Sequence, residues 1–478
     1  MFSAGDKKMS SGEEIILKKE FWEEIRRVSS MLAEEEDFLV VSHHDADGMT
    51  ACAIMVDVLQ HLGKYADYMI LKQLDSTTIS KVLERKAKTT IFTDMGSGQL
   101  AMLKESGLEN YYIVDHHAPQ EKYDKQLNPH FYGYNGGLDI SGSGMAYLVA
   151  KALGHKTMAN IAIVGAVGDM QESDGRLHSL NRLIMQDAIE QGLLKVKHDL
   201  RLFGRQSRPL MQMLAYASEP ILPGLTGDEK ACSAFLENLG IELRDCDRLK
   251  TYVDLDIHER RRLTSALYML LVDANVPEFI IQGMIGEVFS LLKERKHTEL
   301  RDAKEYATVL NACGRQGEAE VGVKVCLGDR ETNWETAKII LRKHRDELKE
   351  GILFLKEKGV CERKNFHFFD AGGAIGENII GVIAGMAYGA RVVGPDKPII
   401  AFADDKDDPN MIKLSGRANW GLVRSGLHLG NALREESRTL GGEGGGHDIA
   451  AGARIPKNRK EEFLNNLDKK IGEQLRRN

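Results

Sequence analysis

Residues 38–48 are Phe-Leu-Val-Val-Ser-His-His-Asp-Ala-Asp-Gly, an apolar run that leads directly into histidines and aspartates. The apolar run, 38–41, predicts a buried strand, and residues 48–63 carry apolar side chains at helical spacing, which predicts a helix. Two more apolar runs, Thr89–Thr93 and Tyr111–Val114, are typical of buried strands and have helical stretches between them. This alternation predicts an α/β fold with a parallel sheet and helices on its faces.

Histidines and aspartates, which are common metal ligands, follow the end of each apolar run. In chain order they are His43, Asp45 and Asp47 after the first run, Asp94 after the second, Asp115, His116 and His117 after the third, and Asp169 after a fourth run, 161–167. The fourth run predicts either a buried strand or a helix packed on the sheet. Because the carboxyl ends of parallel strands open onto one edge of a sheet, we expect these side chains to meet there.

The predicted edge carries ligands for divalent cations. Carboxylates and imidazoles together suit Mn²⁺ or Mg²⁺, and the histidines favour Mn²⁺. Two such ions about 3.5–4 Å apart clamp the attacking and leaving oxygens of a phosphoryl transfer, and a carboxylate shared between them is best placed at Asp94. A single aspartate after a strand is usually a helix N-cap, but capping alone does not explain four such segments in order.

These residues resemble the motifs of the DHH phosphoesterase superfamily. The matching motifs are His43-x-Asp45-x-Asp47-Gly48, Asp94, Asp115-His116-His117 and Asp169. The C-terminal part resembles the DHHA1 domain of the RecJ-like branch, through Ser415-Gly416-Arg417, Gly444-Gly445-Gly446-His447 and Ala450-Ala451-Gly452. The length and order of the chain are most similar to archaeal RecJ-like nucleases, which include a type associated with the GINS replication complex.

The resemblance implies a role for each motif residue. It gives His43, Asp45 and Asp94 to one Mn²⁺, and Asp47, Asp94, His116 and Asp169 to the other, although the division between the ions stays open. It implies that His117 contacts the scissile phosphate and that Asp115 orients a histidine. It also implies a substrate-binding group in the C-terminal part, which consists of Ser415, Arg417, His447 and the backbone N–H groups of Gly445 and Gly446.

Three consecutive domains are expected. Residues 1–200 form the DHH catalytic domain, 201–345 a mostly helical middle region, and 346–478 a smaller α/β DHHA1 domain, with the active-site cleft between the first and the last. Within the middle region, 256–275 and 279–296 are predicted helices, separated by a proline.

Composition and charge bear on nucleic-acid binding, compartment and membrane insertion. The chain has 478 residues and a net charge of −7, so its overall charge gives no support for nucleic-acid binding. One local basic cluster comprises Lys195, Lys197, Arg201, Arg205 and Arg208, and its simplest interpretation is a solvated helix face. The six cysteines form no Cys-x-x-Cys pair, and the N-terminus has no apolar leader, so a cytoplasmic protein is expected. No apolar stretch has the length of a membrane span.

The predicted function is a Mn²⁺- or Mg²⁺-dependent exonuclease that hydrolyses single-stranded nucleic acid from an end, in DNA replication or repair. DNA is favoured over RNA, and 5′→3′ polarity is slightly favoured. Two alternatives stay open: a phosphoesterase of small substrates, such as dinucleotides or polyphosphate, and a replisome scaffold that binds GINS with little activity. The length of the chain favours a polymeric substrate, and the complete ligand set argues against an inactive scaffold.

Overall fold

The computed structural model describes residues 17–406 and 408–476. The segment 1–16, for which the sequence predicts no apolar leader, lies outside the described residues. The chain divides into two compact units: unit 1 comprises the residues up to Arg201 together with Ile285–Ala337, and unit 2 comprises Leu202–Met284 together with the residues from Lys338. The division into independently folding domains 1–200, 201–345 and 346–478 stays a prediction.

The helices alternate with strands over most of the described chain. In chain order they are α1 (Lys19–Ala33), α2 (Ala46–His61), α3 (Ser76–Glu84), α4 (Leu100–Glu105), α5 (Gly142–Ala152), α6 (Ala159–Gly168), α7 (Ser179–Glu190), α8 (Leu210–Ala215), α9 (Glu229–Asn238), α10 (Ile257–Asp273), α11 (Glu278–Gly283), α12 (Ala303–Arg315), α13 (Ala319–Cys326), α14 (Thr332–Lys358), α15 (Ile380–Gly389), α16 (Trp420–Arg424), α17 (Leu429–Thr439) and α18 (Lys460–Arg476). No helix among the described residues is both long and apolar enough to cross a membrane.

The strands form one large sheet in each unit and two small ribbons. In chain order they are β1 (Asp37–His43), β2 (Tyr65–Leu71), β3 (Thr89–Thr93), β4 (Tyr111–Val114), β5 (Gln126–Leu127), β6 (Leu194–Leu200), β7 (Arg244–Asp245), β8 (Arg248–Leu249), β9 (Ile285–Leu291), β10 (Cys361–Glu362), β11 (His367–Asp370), β12 (Ile399–Asp404), β13 (Met411–Arg417), β14 (Glu443–Gly446) and β15 (Ala450–Pro456).

The sheet of unit 1 is parallel throughout and has the order β2-β1-β3-β4-β5. Alternate side chains of its strands enter opposite faces, and both faces are apolar, as in a sheet covered by helices on each side. One face packs against α3 and α4 through residues such as Val41, Phe92 and Ile113. The predicted strands 38–41, Thr89–Thr93 and Tyr111–Val114 and the predicted parallel α/β fold are confirmed.

The structure settles one prediction that the sequence leaves open and corrects another. The run 161–167 lies in a helix, α6, which is the second of its two predicted alternatives, so Asp169 follows a helix and not a strand. The predicted helix 279–296 is wrong, because α11 ends at Gly283 and the following residues form β9, which pairs with β6. Glycine at 283 and 286 interrupts the helical pattern, and the hydrogen bonds to β6 then favour a strand.

Unit 2 contains a mixed sheet with the order β10-β11-β12-β13-β15-β14. One face packs against α16, α17 and α18, and the other packs against α14 and α15. The helices α8 to α11 and the β7–β8 ribbon supply the remainder of this unit, which agrees with the predicted helical middle region and smaller α/β domain. The predicted strand 411–416 is confirmed as β13, and this strand carries Ser415 and Arg417.

Candidate metal centre

The carboxyl ends of three neighbouring strands place the predicted ligands side by side. Ser42 pairs with Thr93, and Thr93 pairs with Val114, so the residues that follow leave the sheet at the same level. Adjacent strands are about 4.8 Å apart, which brings the three segments within reach of one cation site. Strand register, which no local sequence pattern specifies, therefore produces the cluster.

Asp47 is held by the first turn of α5. Its Oδ2 accepts a hydrogen bond from the Gly142 N–H at 2.6 Å, and its Oδ1 accepts one from the Ser143 N–H at 3.0 Å. These N–H groups have no partner within their own helix, and the helix dipole favours a negative charge at this end. Asp47 is 2% exposed, so water does not compete for these hydrogen bonds, and they fix the orientation of the carboxylate.

Asp94 lies at the centre of the cluster with an unusual backbone. Its φ angle is 57°, in the left-handed region that costs free energy for a residue with a side chain. Its Oδ1 is 3.1 Å from Nε2 of His116, and its Oδ2 is 3.9 Å from Nδ1 of His43. Among the described residues, the buried Oδ1 has no hydrogen-bond partner of acceptable geometry. A buried carboxylate oxygen without a partner is costly, and a bound cation would satisfy it.

His116 presents one ring nitrogen to the carboxylates. Its Nδ1 donates to the carbonyl of Gly136 at 2.7 Å, which fixes the ring and leaves Nε2 facing Asp94 and Asp47. A backbone carbonyl on the other ring nitrogen is the usual support of a metal-binding histidine. Asp169 lies beside the same ring, where Gln171 Nε2 donates to its Oδ2 at 2.8 Å and also to the Gly136 carbonyl.

His43 and Asp45 form the other side of the cluster. Nδ1 of His43 is 2.9 Å from Oδ2 of Asp45, and Oδ1 of Asp45 caps α2 by accepting from the Gly48 N–H at 3.0 Å. Nε2 of His43 is 3.1 Å from Nδ1 of His44. Burial and then the charge of His43 lower the pKa of His44 to about 3, so His44 is neutral and its Nδ1 accepts the hydrogen bond. His44 thereby leaves Nδ1 of His43 for a cation.

His117 is the most exposed imidazole of the cluster, with 54% of its side chain accessible. Its Nδ1 donates to Oδ1 of Asp115 at 2.8 Å. Asp115 is fully buried and also accepts from the backbone N–H groups of Ser97, His116 and His117. The structure therefore places Asp115 as a rigid acceptor that fixes the orientation of the His117 ring.

The electrostatics of the cluster favour a cation. Burial, reinforced by the charge of Asp47, raises the pKa of Asp94 to about 7. Burial also raises the pKa of Asp169 to about 6, against the opposing effect of His116. Burial disfavours the charged form of His43, but the charge and hydrogen bond of Asp45 outweigh it and raise its pKa to about 9. Without metal the cluster takes protons to balance its carboxylates, and divalent cations would supply that positive charge instead.

Three ligand groups meet the distance requirement for a metal ion among the described residues. They are Asp94, Asp115, His116 and His117; His43, Asp45 and Asp94; and Asp47, His116 and Asp169. Every predicted ligand belongs to at least one group, and Asp94 occurs in two. Oxygen and imidazole donors in this proportion suit Mn²⁺. The donor set and the buried Asp94 oxygen therefore fit the predicted cations.

Helix α12 supports the cluster from a segment that no sequence motif indicates. Oδ1 of Asn311 accepts from the Ala46 N–H at 2.9 Å, which anchors the start of α2. Gly314 contacts the loop so closely that an added Cβ would lie 1.8 Å from the His44 carbonyl oxygen. Arg315 lies near Asp45, and burial lowers its pKa while the charge of Asp45 opposes this. Nothing in the single sequence connects α12 to residues some 270 positions earlier.

The substrate-binding residues predicted in unit 2 lie at one end of its sheet. Ser415 and Arg417 are on β13, where Gly381 of α15 leaves room for both side chains: an added Cβ would lie 2.5 Å from the Arg417 guanidinium. Arg417 pairs with Ala450, and the His447 N–H donates to the Ala450 carbonyl at 2.9 Å. Gly445 and Gly446 are on the neighbouring edge strand, β14. The structure thus places four of these residues on β13 and β14, which flank β15, and His447 in the turn between β14 and β15. Their role stays a proposal.

Comparison with known proteins agrees with this architecture. The sequence matches models of the DHH family N-terminal domain over 37–168, the DHH-CID domain over 202–285 and the DHHA1 domain over 376–473. An uncharacterized protein of Methanocaldococcus jannaschii, MJ0831, is 31% identical over 450 residues, which cover 92% of this chain and 94% of that protein. The chain belongs to the DHH family.

The DHH protein is RecJ-like. The single-stranded-DNA-specific exonuclease RecJ of Bacillus subtilis is 26% identical over 183 residues, 34% of this chain and 22% of that protein. RecJ of Thermus thermophilus in complex with Mn²⁺ has the same fold, with a TM-score of 0.57 and 17% identity, over 96% of this chain and 55% of that one. CDC45 of Entamoeba histolytica also shares the fold, with a TM-score of 0.60 and 14% identity, over 95% and 98% of the two chains. The DHH protein spans only about half of the Thermus RecJ chain.

Substitution of His44 tests the support of His43. We expect His44→Phe to weaken Mn²⁺ binding about 10- to 100-fold, because phenylalanine keeps the ring but cannot accept from Nε2 of His43. His44→Gln retains an acceptor and is expected to recover part of the affinity. Isothermal titration calorimetry measures both variants. Wild-type affinity in His44→Phe would show that this hydrogen bond does not position His43.

Proposed function

We propose that this DHH protein is a metal-dependent exonuclease that hydrolyses phosphodiester bonds of single-stranded nucleic acid from an end. DNA is the favoured substrate over RNA, and DNA replication or repair is the favoured process. The observation that carries the proposal is the buried cluster around Asp94, in which carboxylates and imidazoles from four segments of unit 1 meet. The RecJ likeness in sequence and fold supports a nucleic-acid substrate over other phosphoesters.

Two divalent cations, with Mn²⁺ preferred and Mg²⁺ accepted, are the proposed cofactors. His43, Asp45 and Asp94 would hold one, and Asp47, Asp94, His116 and Asp169 the other. The first set lies within range of one ion, and so do Asp47, His116 and Asp169 of the second set, which supports this division. Bound cations of this kind acidify water at neutral pH and neutralise charge on a phosphoryl group. The protein's own contribution is to hold the ligands rigidly, through α5 at Asp47 and the Gly136 carbonyl at His116.

The other predicted residues have geometries that suit phosphate binding. His117 has its Nδ1 occupied by Asp115, so Nε2 is the atom proposed to donate to the scissile phosphate or its leaving oxygen. Arg417 and His447 would bind a second phosphate, with Ser415 and the N–H groups of Gly445 and Gly446 as further donors. The close positions of Arg417 and His447 on either side of Ala450 support their acting on one group.

A replisome scaffold is the second candidate function. The CDC45 fold, which matches over 95% of this chain, favours it, and a GINS-type complex is then the proposed partner. The archaeal, GINS-associated branch is part of this proposal and rests on the resemblance of the motif residues. The complete ligand cluster favours hydrolysis over a scaffold without activity, and one protein can perform both functions.

Labelled oligonucleotides test the proposed activity. We expect purified protein with Mn²⁺ to shorten single-stranded DNA labelled at its 5′ or 3′ end, and we expect EDTA to abolish the reaction because the carboxylates alone cannot activate water. The products from the 5′-labelled and the 3′-labelled DNA show the direction of hydrolysis. An RNA of the same sequence shows whether the enzyme prefers DNA or RNA. Cleavage of dinucleotides or polyphosphate alone would favour the small-substrate phosphoesterase. Absence of any cleavage, with co-purification of GINS, would favour the scaffold.

A further inference from the structure

Two basic segments that are distant in sequence meet on the outer surface of unit 1. Strands β6 and β9 pair from Leu194–Leu291 to Leu200–Ile285, and the intervening chain belongs largely to unit 2. Their pairing places Lys195 opposite Ser290, next to the loop that follows β9, and Lys197 opposite Val288, two pairs further along the ribbon. We name the exposed cations of β6 and this loop the ribbon surface. They are Lys195 and Lys197 on β6 and Lys293, Arg295 and Lys296 in the loop.

The loop of the ribbon surface is held in a defined shape. Nη1 of Arg301 donates to the carbonyls of Leu292 at 2.7 Å and Glu294 at 2.8 Å. Oγ1 of Thr298 donates to the carbonyl of Arg295 at 2.7 Å. Three backbone carbonyls of the loop are therefore fixed by side chains, so its cations are presented from an ordered backbone.

The charge of the loop is not balanced internally. Its acidic residue, Glu294, is neutralised by Arg330, whose Nε lies 2.9 Å from Oε2. Within the described part of the chain, the ion pairs include none of Lys293, Arg295 and Lys296. The ordered loop therefore carries a surplus of positive charge that suits an anionic partner.

The ribbon surface extends away from the metal centre. At the far end of β6, Nη2 of Arg201 is 2.9 Å from Oε1 of Glu172, which follows the ligand Asp169 by three residues. Six residue steps along β6 cover about 20 Å. The loop cations thus lie roughly 20 Å along this strand from the end next to the metal centre, a span of about six stacked nucleotides at about 3.4 Å each.

We propose that the ribbon surface binds the phosphate backbone of a single strand whose end is in the metal centre, an inference that rests on the proposed function. All five residues are lysine or arginine, and none is aromatic. They therefore suit contacts with phosphates more than stacking with bases. The surface therefore holds long substrates independently of sequence. Substrates of three nucleotides do not reach it.

Binding of long and short oligonucleotides tests this surface in the full chain. We expect the triple variant Lys293→Ala/Arg295→Ala/Lys296→Ala to bind a fluorescent 20-mer of DNA about 10-fold more weakly at 0.1 M KCl, by anisotropy in EDTA. The slope of log K against log salt is expected to fall by about 2, since each lost contact to single-stranded phosphate accounts for about 0.7. Hydrolysis of a trimer with Mn²⁺ is expected to stay at the wild-type rate.

A matched variant controls for net charge. Lys81→Ala/Lys86→Ala/Lys88→Ala removes three exposed lysines of unit 1 near the amino end of β3, the edge opposite the metal centre. The proposal is supported if this control binds the 20-mer as the wild type does and the Lys293/Arg295/Lys296 variant binds it more weakly. It is overturned if both variants lose the same affinity for the 20-mer, or if the Lys293/Arg295/Lys296 variant loses none. A wild-type protein that binds the 20-mer but hydrolyses neither length refutes the proposed function separately.

Discussion

Asp47→Asn is expected to lower the rate of phosphodiester hydrolysis by at least about 10³-fold, equivalent to about 4 kcal/mol of activation free energy. The substitution removes a buried negative charge beside His116 Nε2, where a cation is proposed to bind. Both carboxylate oxygens of Asp47 accept backbone hydrogen bonds, from Gly142 and Ser143, and asparagine can accept only one of them. The remaining N–H of α5 then loses its partner, which adds about 1–3 kcal/mol of destabilisation.

Thermal unfolding separates the metal effect of Asp47→Asn from its structural effect. Saturating Mn²⁺ is expected to raise the Tm of the wild type by about 5–10 °C, because a ligand that binds only the folded state stabilises it. We expect this rise to disappear in the variant, while its Tm in EDTA falls only modestly. Asp37→Asn, at the amino end of β1, serves as the control. It should keep the wild-type rate of hydrolysis and the rise in Tm with Mn²⁺. Wild-type hydrolysis by Asp47→Asn would place the catalytic centre elsewhere.

Gly314→Ala is expected to reduce hydrolysis about 100-fold without removing any ligand. The added methyl group would lie 1.8 Å from the backbone carbonyl oxygen of His44, so either α12 or the loop from His43 to Asp45 must shift. A displacement of about 1 Å in a catalytic group can cost about 100-fold in rate. Overpacking of this kind also destabilises the fold by about 1–3 kcal/mol.

Measurement of Mn²⁺ affinity and of the Tm identifies the cause of the Gly314→Ala effect. We expect both to fall, because the loop that shifts carries His43 and Asp45. Gly98→Ala is the matched control, since its added Cβ meets no atom closer than the Ala118 carbonyl oxygen at 3.9 Å. If Gly314→Ala binds Mn²⁺ and hydrolyses substrate as the wild type does, then the contact between α12 and the loop does not position the ligands.

Much of unit 1 was predictable because its information is local. Apolar runs of four or five residues between polar segments specify buried strands directly, and three of these agree with β1, β3 and β4. The ligand types that follow each run also specify the metal chemistry without reference to contacts. The structure brings His43, Asp45, Asp47, Asp94, His116 and Asp169 together on this edge of the sheet.

The predictions that failed concern segments whose structure depends on distant partners. Residues 285–291 have a composition that fits either a helix or a strand, and only their pairing with β6 makes them a strand. The sequence predicts a solvated helix face for the basic cluster, but Lys195 and Lys197 are on β6, and Arg205 is buried with its guanidinium 5.0 Å from the Tyr252 ring. Pairing across the β6–β9 ribbon creates a different basic surface that no continuous segment contains.

The parallel α/β architecture, the identity of the candidate ligands and their order follow from the amino-acid sequence, because strand period and side-chain chemistry are local properties. The atoms that face the cluster depend on the folded chain: the Gly142 N–H at Asp47, the Gly136 carbonyl at His116 and the approach of Gly314 to His44. Each of these contacts joins segments at least 20 positions apart. Such contacts depend on strand register and helix packing, which are set by the whole core and not by any one stretch of residues.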